Sequence, residues 1–298
     1  MPVIWEYMVT FEGPSIESSK PAMDEPNHHP EAVRCVRADR ISTGDAADQP
    51  KEDEVYVIEE VPVTIDVEGV EVYTLLCTPV DRRAMAAGFL LTEGVIERMA
   101  EIEVLKECDD DPNTVRVRLA GGIPRIADQG RNLLIVSSCG ACGSERLKER
   151  IAALPSVGDA FRIGAELLHS VYDALWMRQS LFKACGGTHA AAIFDENGKI
   201  FTSAEDTGRH NALDKAIGKC LLAGIPTAGR GAALTSRLSL EMVSKCARAG
   251  IELITAVSAP TSMAIDVARA CNITLCAFVR ETRATVFTHP TRVTGTRR

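Results

Sequence analysis

The sequence contains no apolar run of 18 residues, which argues against a membrane-spanning helix. Its first ten residues carry Glu6 and no basic cluster, so they do not read as a signal peptide. There is no excess of positive charge: the formal net charge is -8, which disfavours generic nucleic-acid binding. GxxxxGK[ST] is absent, as is GxGxxG, so neither a P-loop nucleoside triphosphatase nor a dinucleotide-binding fingerprint is indicated. Only one CxxC occurs, whereas structural zinc sites usually need two such pairs. No internal repeat at a solenoid period is evident.

What remains is an ordinary globular composition of 298 residues, 46% hydrophobic and 25% charged, long enough for one large domain or two smaller ones. The acidity is local. Residues 1–60 hold 14 of the 41 acidic side chains and five of the 33 basic ones, so the rest of the chain is nearly neutral. The ten cysteines lie mostly in apolar surroundings, where thiols pack as small hydrophobes. With no export signal read, they point to a reducing, cytoplasmic compartment.

The expected fold class is α/β, in three parts. Residues 1–50, punctuated by prolines, read as an acidic flexible arm with a short edge strand at 33–36, and compact structure is expected from near Asp53. Residues 51–160 read as an α+β module. Its strands fall at 55–58, 61–67, 70–77, 102–105 and 114–119, and its helix, capped by Asp81, runs to about Leu91 with Gly94 ending it. A further strand at 133–136 leads to the CxxC loop, followed by a helix at 144–153. Residues 161–298 read as a three-layer α/β/α module: a helix over 162–179, a hairpin of 189–194 with 199–203 turning at Asn197-Gly198, and a helix over 209–222. Strands at 231–235, 251–257 and 273–279 then alternate with helices at 239–249 and 262–271, before a last strand at 284–288.

Cys139 and Cys142 sit between a predicted strand and a predicted helix, flanked by Gly140, Ala141 and Gly143. Small flanks leave the thiols open, and amide groups at a helix start favour thiolate. The residues alone admit four readings: half a zinc site, a dithiol–disulfide redox pair, a sulfur carrier, or two structural cysteines in a glycine loop. A second concentration of polar groups runs from Glu205 to Lys215. His210 and Asp214 share a helix face, and Arg209 and His210 lie near a positive helix terminus suited to an anion. His189 can approach from the sheet. The plain alternative is an Asp206 cap with a surface salt-bridge network. A third candidate is Phe278-Val279-Arg280-Glu281-Thr282-Arg283, after a predicted core strand, where open α/β sheets place ligand loops. Arg280 and Arg283 suit phosphate, or are simply solvated.

Taken together, several blocks resemble the formate dehydrogenase accessory sulfurtransferases, the FdhD family. They are Glu59-Glu60-Val61-Pro62, Gly88-Phe89-Leu90-Leu91-Thr92-Glu93-Gly94, Cys139-Gly140-Ala141-Cys142-Gly143 and Gly186-Gly187-Thr188-His189. Further blocks run from Asp206 to Lys215, over Glu241-Met242-Val243 and Val257-Ser258-Ala259-Pro260-Thr261, to Arg283 and Thr288-His289-Pro290. The resemblance spans roughly residues 55–290 and implies a cytoplasmic, homodimeric sulfur carrier. Such a carrier takes persulfide sulfur from a cysteine desulfurase and passes it to the bis-molybdopterin guanine dinucleotide cofactor, in its molybdenum or tungsten form, of formate dehydrogenase. It implies Cys139 as the persulfide-bearing residue, Cys142 as its helper and residues 278–283 as the guanine-dinucleotide contact. Charge and placement add His189, Arg209 and His210 to that contact. No permanently bound metal is expected. The resemblance also implies a C-terminal module similar to the cytidine deaminase fold, although the deaminases' zinc signature is missing there, so deamination does not follow. The alternatives are a non-catalytic cofactor-binding chaperone and a CxxC thiol redox protein.

Overall fold

The computed structural model describes residues 29–41, 51–121, 148–149 and 151–295. Strand β1 (Val33–Arg40) pairs antiparallel with β2 (Lys51–Ile58) along its whole length. The expected short strand at 33–36 therefore continues to Arg40, and compact structure begins before Asp53. Like charges face each other at the end of the ladder (Asp39 with Glu52, Arg40 with Lys51), and off-register ion pairs offset them: Arg34 meets Glu59 at 3.1 Å and Arg40 meets Asp53 at 3.0 Å.

Next come β3 (Val61–Val67), β4 (Glu71–Cys77), α1 (Arg82–Thr92), β5 (Ile102–Glu107) and β6 (Thr114–Leu119). They build a four-stranded sheet in the order β4-β3-β6-β5, with β3 and β6 parallel. Strict alternation explains it. Val63, Ile65 and Val67 of β3 and Val115, Val117 and Leu119 of β6 are buried, while Arg116 and Arg118 face outward. Asp81 does not cap α1. Its backbone is left-handed (φ 56°), and its carboxylate is drawn instead to Lys219 Nζ at 2.6 Å. Gly94 does end the turn, with φ +76° and Val95 N–H donating to Leu90 O. The expected strand at 133–136 lies outside the described residues. Of the expected helix at 144–153, residues 148–149 and 151–152 are helical.

The expected helix over 162–179 is cut at both ends. Ile163–Gly164 is instead β7, paired parallel with β14 (Val293–Thr294). Helix α2 spans only Leu167–Met177, and α3 (Ser180–Cys185) follows, closed by left-handed Gly186. Then come β8 (His189–Phe194), β9 (Ile200–Asp206), α4 (Arg209–Leu222), β10 (Gly231–Leu234), α5 (Leu240–Arg248), β11 (Leu253–Ala256), α6 (Ser262–Ala270), β12 (Thr274–Arg280) and β13 (Arg283–Val286). Their six strands form one sheet, ordered β13-β12-β11-β10-β8-β9, with β10, β11 and β12 parallel.

The sheet is buried on both faces, so the molecule has a mixed α/β fold. Ala191, Ile193, Leu234, Ile254 and Leu275 share one core with α4, α5 and α6. Ala190, Ala192, Phe194, Leu253 and Cys276 share another with α2. The first core also contains Ile65, Val117 and Phe89, so it runs without a break from the four-stranded sheet through α1 into the six-stranded sheet. Helices α1 and α4 touch at glycines. A Cβ on Gly88 would strike the Asp214 carbonyl, and one on Gly218 would strike that of Ala84.

Candidate functional site

The parallel strands β10, β11 and β12 end at one edge of the six-stranded sheet, where β8 begins and β9 finishes. Open α/β sheets offer their ligand crevice at this edge. The loops there are tied to one another. Thr235 N–H donates to Ala190 O at 3.1 Å, Leu238 N–H to Ala259 O at 3.0 Å, and Phe278 N–H to Ser258 O at 3.3 Å. Because α4, α5 and α6 each follow a strand ending here, their N-termini also gather at this edge.

His189, Arg209 and His210 meet at one end of it. His189 opens β8 directly opposite Asp206 of β9, and Arg209 and His210 begin α4. Burial lowers the His189 pKa, and the Arg209 and Arg237 guanidinium groups add to the effect. Burial also takes His210 down to about 4, aided by Arg209 and Lys245 and opposed by Glu241 and Glu93. Both imidazoles are therefore held toward the neutral form. His210 Nε2 and Arg209 Nε are buried yet meet no hydrogen-bond partner in the protein, as does Ser239 Oγ at the start of α5. Buried polar groups are normally paired, so three orphans at one edge suit a polar ligand.

The other end carries residues 278–283. Phe278 is 41% exposed with a left-handed backbone (φ 54°) at an irregularity in the β12–β13 ladder, and its ring lies 6.2 Å from that of Phe287. Arg280 Nη1 donates to Val257 O and to Val279 O, each at 2.7 Å, which pins the side chain along the edge. Glu281 and Thr282 form the exposed β12–β13 turn, and Arg283, also exposed, opens β13 opposite Arg280. Val279 points elsewhere: it is buried in the second core, so its side chain does not face the edge. Strands β11 and β10 stand between β12 and β8, three strand spacings or about 14 Å. The candidates therefore line one elongated shelf rather than one small pocket.

Beneath the His210 end, the network that the alternative reading placed on the surface is instead buried. Asp206 and Lys215 are each 0% exposed and bond at 2.6 Å. Asp214 and Glu93 both hold Lys245 Nζ at 2.8 Å, and Thr92 Oγ1 also donates to Asp214 at 2.7 Å. Burial alone would lower the Lys245 pKa, but these carboxylates outweigh it and keep the ammonium charged. Lys245, which joins these groups beneath the site, was not singled out from the sequence. The available signal was a lysine set between Val243 and Cys246 on the apolar face of α5.

Cys139 and Cys142 lie outside the described residues. The other eight cysteines are free thiols. Burial pushes Cys77 and Cys276 up to about 11 and raises Cys246 further, so these three are protonated packing groups. Among the described residues no helix is long and apolar enough to cross a membrane.

The family model described as the FdhD/NarQ family matches residues 58–294. A protein of Bordetella bronchiseptica named sulfur carrier protein FdhD is 38% identical over 272 residues, covering 91% of this chain and 96% of that one. A protein of the same name from Thermoplasma acidophilum is 36% identical over 243 residues, covering 78% of this chain and 85% of that one. A crystal structure described as a formate dehydrogenase accessory protein of Desulfotalea psychrophila superposes with a TM-score of 0.68. It is 24% identical, covering 87% of this chain and 99% of that one, and supports the fold.

Proposed function

The chain belongs to the FdhD/NarQ family, and from that premise we propose that it is a sulfur carrier serving the molybdenum or tungsten cofactor of formate dehydrogenase. The cofactor, as bis-molybdopterin guanine dinucleotide, is the acceptor substrate. A cysteine desulfurase is the donor and formate dehydrogenase the client, and the carrier works as a cytoplasmic homodimer. Its six-stranded half is the module taken as cytidine-deaminase-like.

In the first step the Cys139 thiolate attacks the terminal sulfur of the desulfurase persulfide. A new S–S bond forms on Cys139, the old one breaks, and the desulfurase cysteine leaves as thiolate. In the second step the Cys142 thiolate attacks the Cys139 sulfur. The terminal sulfur leaves as hydrosulfide for the cofactor, and a Cys139–Cys142 disulfide remains for a dithiol reductant to open. Atoms and electrons balance without an external oxidant.

The observation that carries the acceptor side is the trio of orphaned buried atoms, Arg209 Nε, His210 Nε2 and Ser239 Oγ, on the shelf. Arg209 and the gathered helix N-termini suit a pyrophosphate. A neutral His210 offers a base-edge hydrogen bond without adding charge. Phe278 supplies an exposed aromatic face for stacking at the far end.

The test is intact-mass analysis of the reduced chain after incubation with a desulfurase and cysteine. One added sulfur is expected on the Cys139 peptide, absent in Cys139→Ala, and that variant should lose formate dehydrogenase activation while melting as the parent does. A Cys139→Ala/Cys142→Ala chain that still activates the client would replace this mechanism with a non-catalytic cofactor chaperone.

A further inference from the structure

The first turn of α4 is fastened from below by an unusual set of contacts. The fully buried Asp206 carboxylate accepts from Gly208 N at 2.8 Å and Asn211 Nδ2 at 3.0 Å through Oδ1. Through Oδ2 it accepts from Thr78 N at 3.1 Å and Lys215 Nζ at 2.6 Å. Lys215 Nζ also donates to Thr78 O at 2.8 Å, and Thr207 N to Thr78 Oγ1 at 3.2 Å. Asn211 Nδ2 donates a second time, to Leu76 O at 2.8 Å. The partners Leu76 and Thr78 lie at the end of β4 and just beyond it, about 130 residues away in the chain. The two residues these contacts enclose are Arg209 and His210, each with a buried nitrogen that meets no partner in the protein.

From this juxtaposition we infer that Asn211, working with Asp206 and Lys215, is a positioning residue for nucleotide recognition. It locks the first turn of α4 to the four-stranded sheet, so that Arg209 and His210 are aimed before the ligand arrives. The inference rests on the reading of the shelf as the guanine-dinucleotide contact. It adds that the contact is built jointly: the side chains come from the six-stranded half, and the acceptors that hold their helix come from the other.

Asn211 suits the role physically. Its amide bridges two oxygens on different elements, and it is uncharged, so its removal strands no buried ion. Gly208 leaves room for it, since a Cβ there would press on Asn211 Nδ2. Losing the bridge frees the turn that carries Arg209, and binding must then supply the ordering that the fold now provides.

The experiment titrates the full chain with guanosine diphosphate by calorimetry, for the parent, Asn211→Ala, Arg209→Ala and the double variant. Asn211→Ala is expected to weaken binding on the order of tenfold, since one net hydrogen bond is worth about that much. Its melting temperature should stay close to that of the parent. In the Arg209→Ala background the same change should cost clearly less than it does in the parent, because only His210 is then left to position. A general structural defect would instead add in full. Unchanged affinity in Asn211→Ala, or full additivity with Arg209→Ala, overturns the inference while leaving the shelf reading intact. A parent chain that binds no guanosine diphosphate overturns the shelf reading and the inference with it.

Discussion

The two ends of the shelf are built on opposite principles. At the α4 end, neutral histidines and an arginine with unpartnered nitrogens sit on a base of buried, mutually paired charges. At the β12 end the candidate side chains other than that of Val279 are exposed. The one firm contact there is an arginine tied to backbone carbonyls, and the aromatic ring stands on a left-handed residue at a ladder irregularity. Buried polar groups in low dielectric are held to one arrangement, because any other leaves a charge unpaired. An exposed turn has no such constraint. On the proposed reading of the shelf, the α4 end would be the fixed side for a ligand and the β12 end the adaptable one.

That contrast is easiest to break from below. Lys215→Met leaves the Asp206 carboxylate buried without its cation, and is expected to cost roughly 3–5 kcal/mol in urea unfolding. A loss under about 1 kcal/mol would mean that the α4 base is no firmer than the surface. The next effect is acid sensitivity. With its folded pKa near 4 against about 6.5 when unfolded, His210 binds its proton more readily in the unfolded chain. Its contribution is therefore neutral above pH 6.5 and becomes destabilising as pH falls toward 4, by roughly 3 kcal/mol in full. Urea midpoints across that window should fall more steeply for the parent than for His210→Gln, and parallel curves would contradict the buried, neutral assignment. The smallest stability effect belongs to the β12 end. Arg280→Ala should move the unfolding midpoint by less than about 0.5 kcal/mol, yet weaken guanosine diphosphate binding. Binding that tolerates this change would confine recognition to the α4 end.

Local periodicity made much of the fold legible. The β-branched run 61–67, the alternation in 114–119 and the helix expected over 209–222 correspond to β3, β6 and α4 with the same bounds. The expectations that failed did so where a distant partner outbid local preference. Ile163–Gly164 reads as the start of a helix, but Val293–Thr294, some 130 residues away, offers it a strand. Asp81 has the side chain of a helix cap, but Lys219 takes its carboxylate. For the site, residue chemistry marked His189, Arg209, His210 and the 278–283 segment as binding groups. It also suggested a solvated network where the protein buries Asp206, Lys215 and Lys245.

By itself the sequence determined the family, the α/β class, the cysteine pair and the residue types available for binding a nucleotide, because each depends on composition, order or short-range spacing. Only the tertiary structure decided that the end of β12 and the start of β8 share one sheet edge, about 14 Å apart. Only it decided that Asn211 reaches Leu76 across the chain, and that Val279 belongs to the core while Arg209 and His210 keep free nitrogens. The reason is strand order and burial. Both follow from which distant segments pair and from which polar groups the core leaves without a partner, and neither is a property of any local stretch of chain.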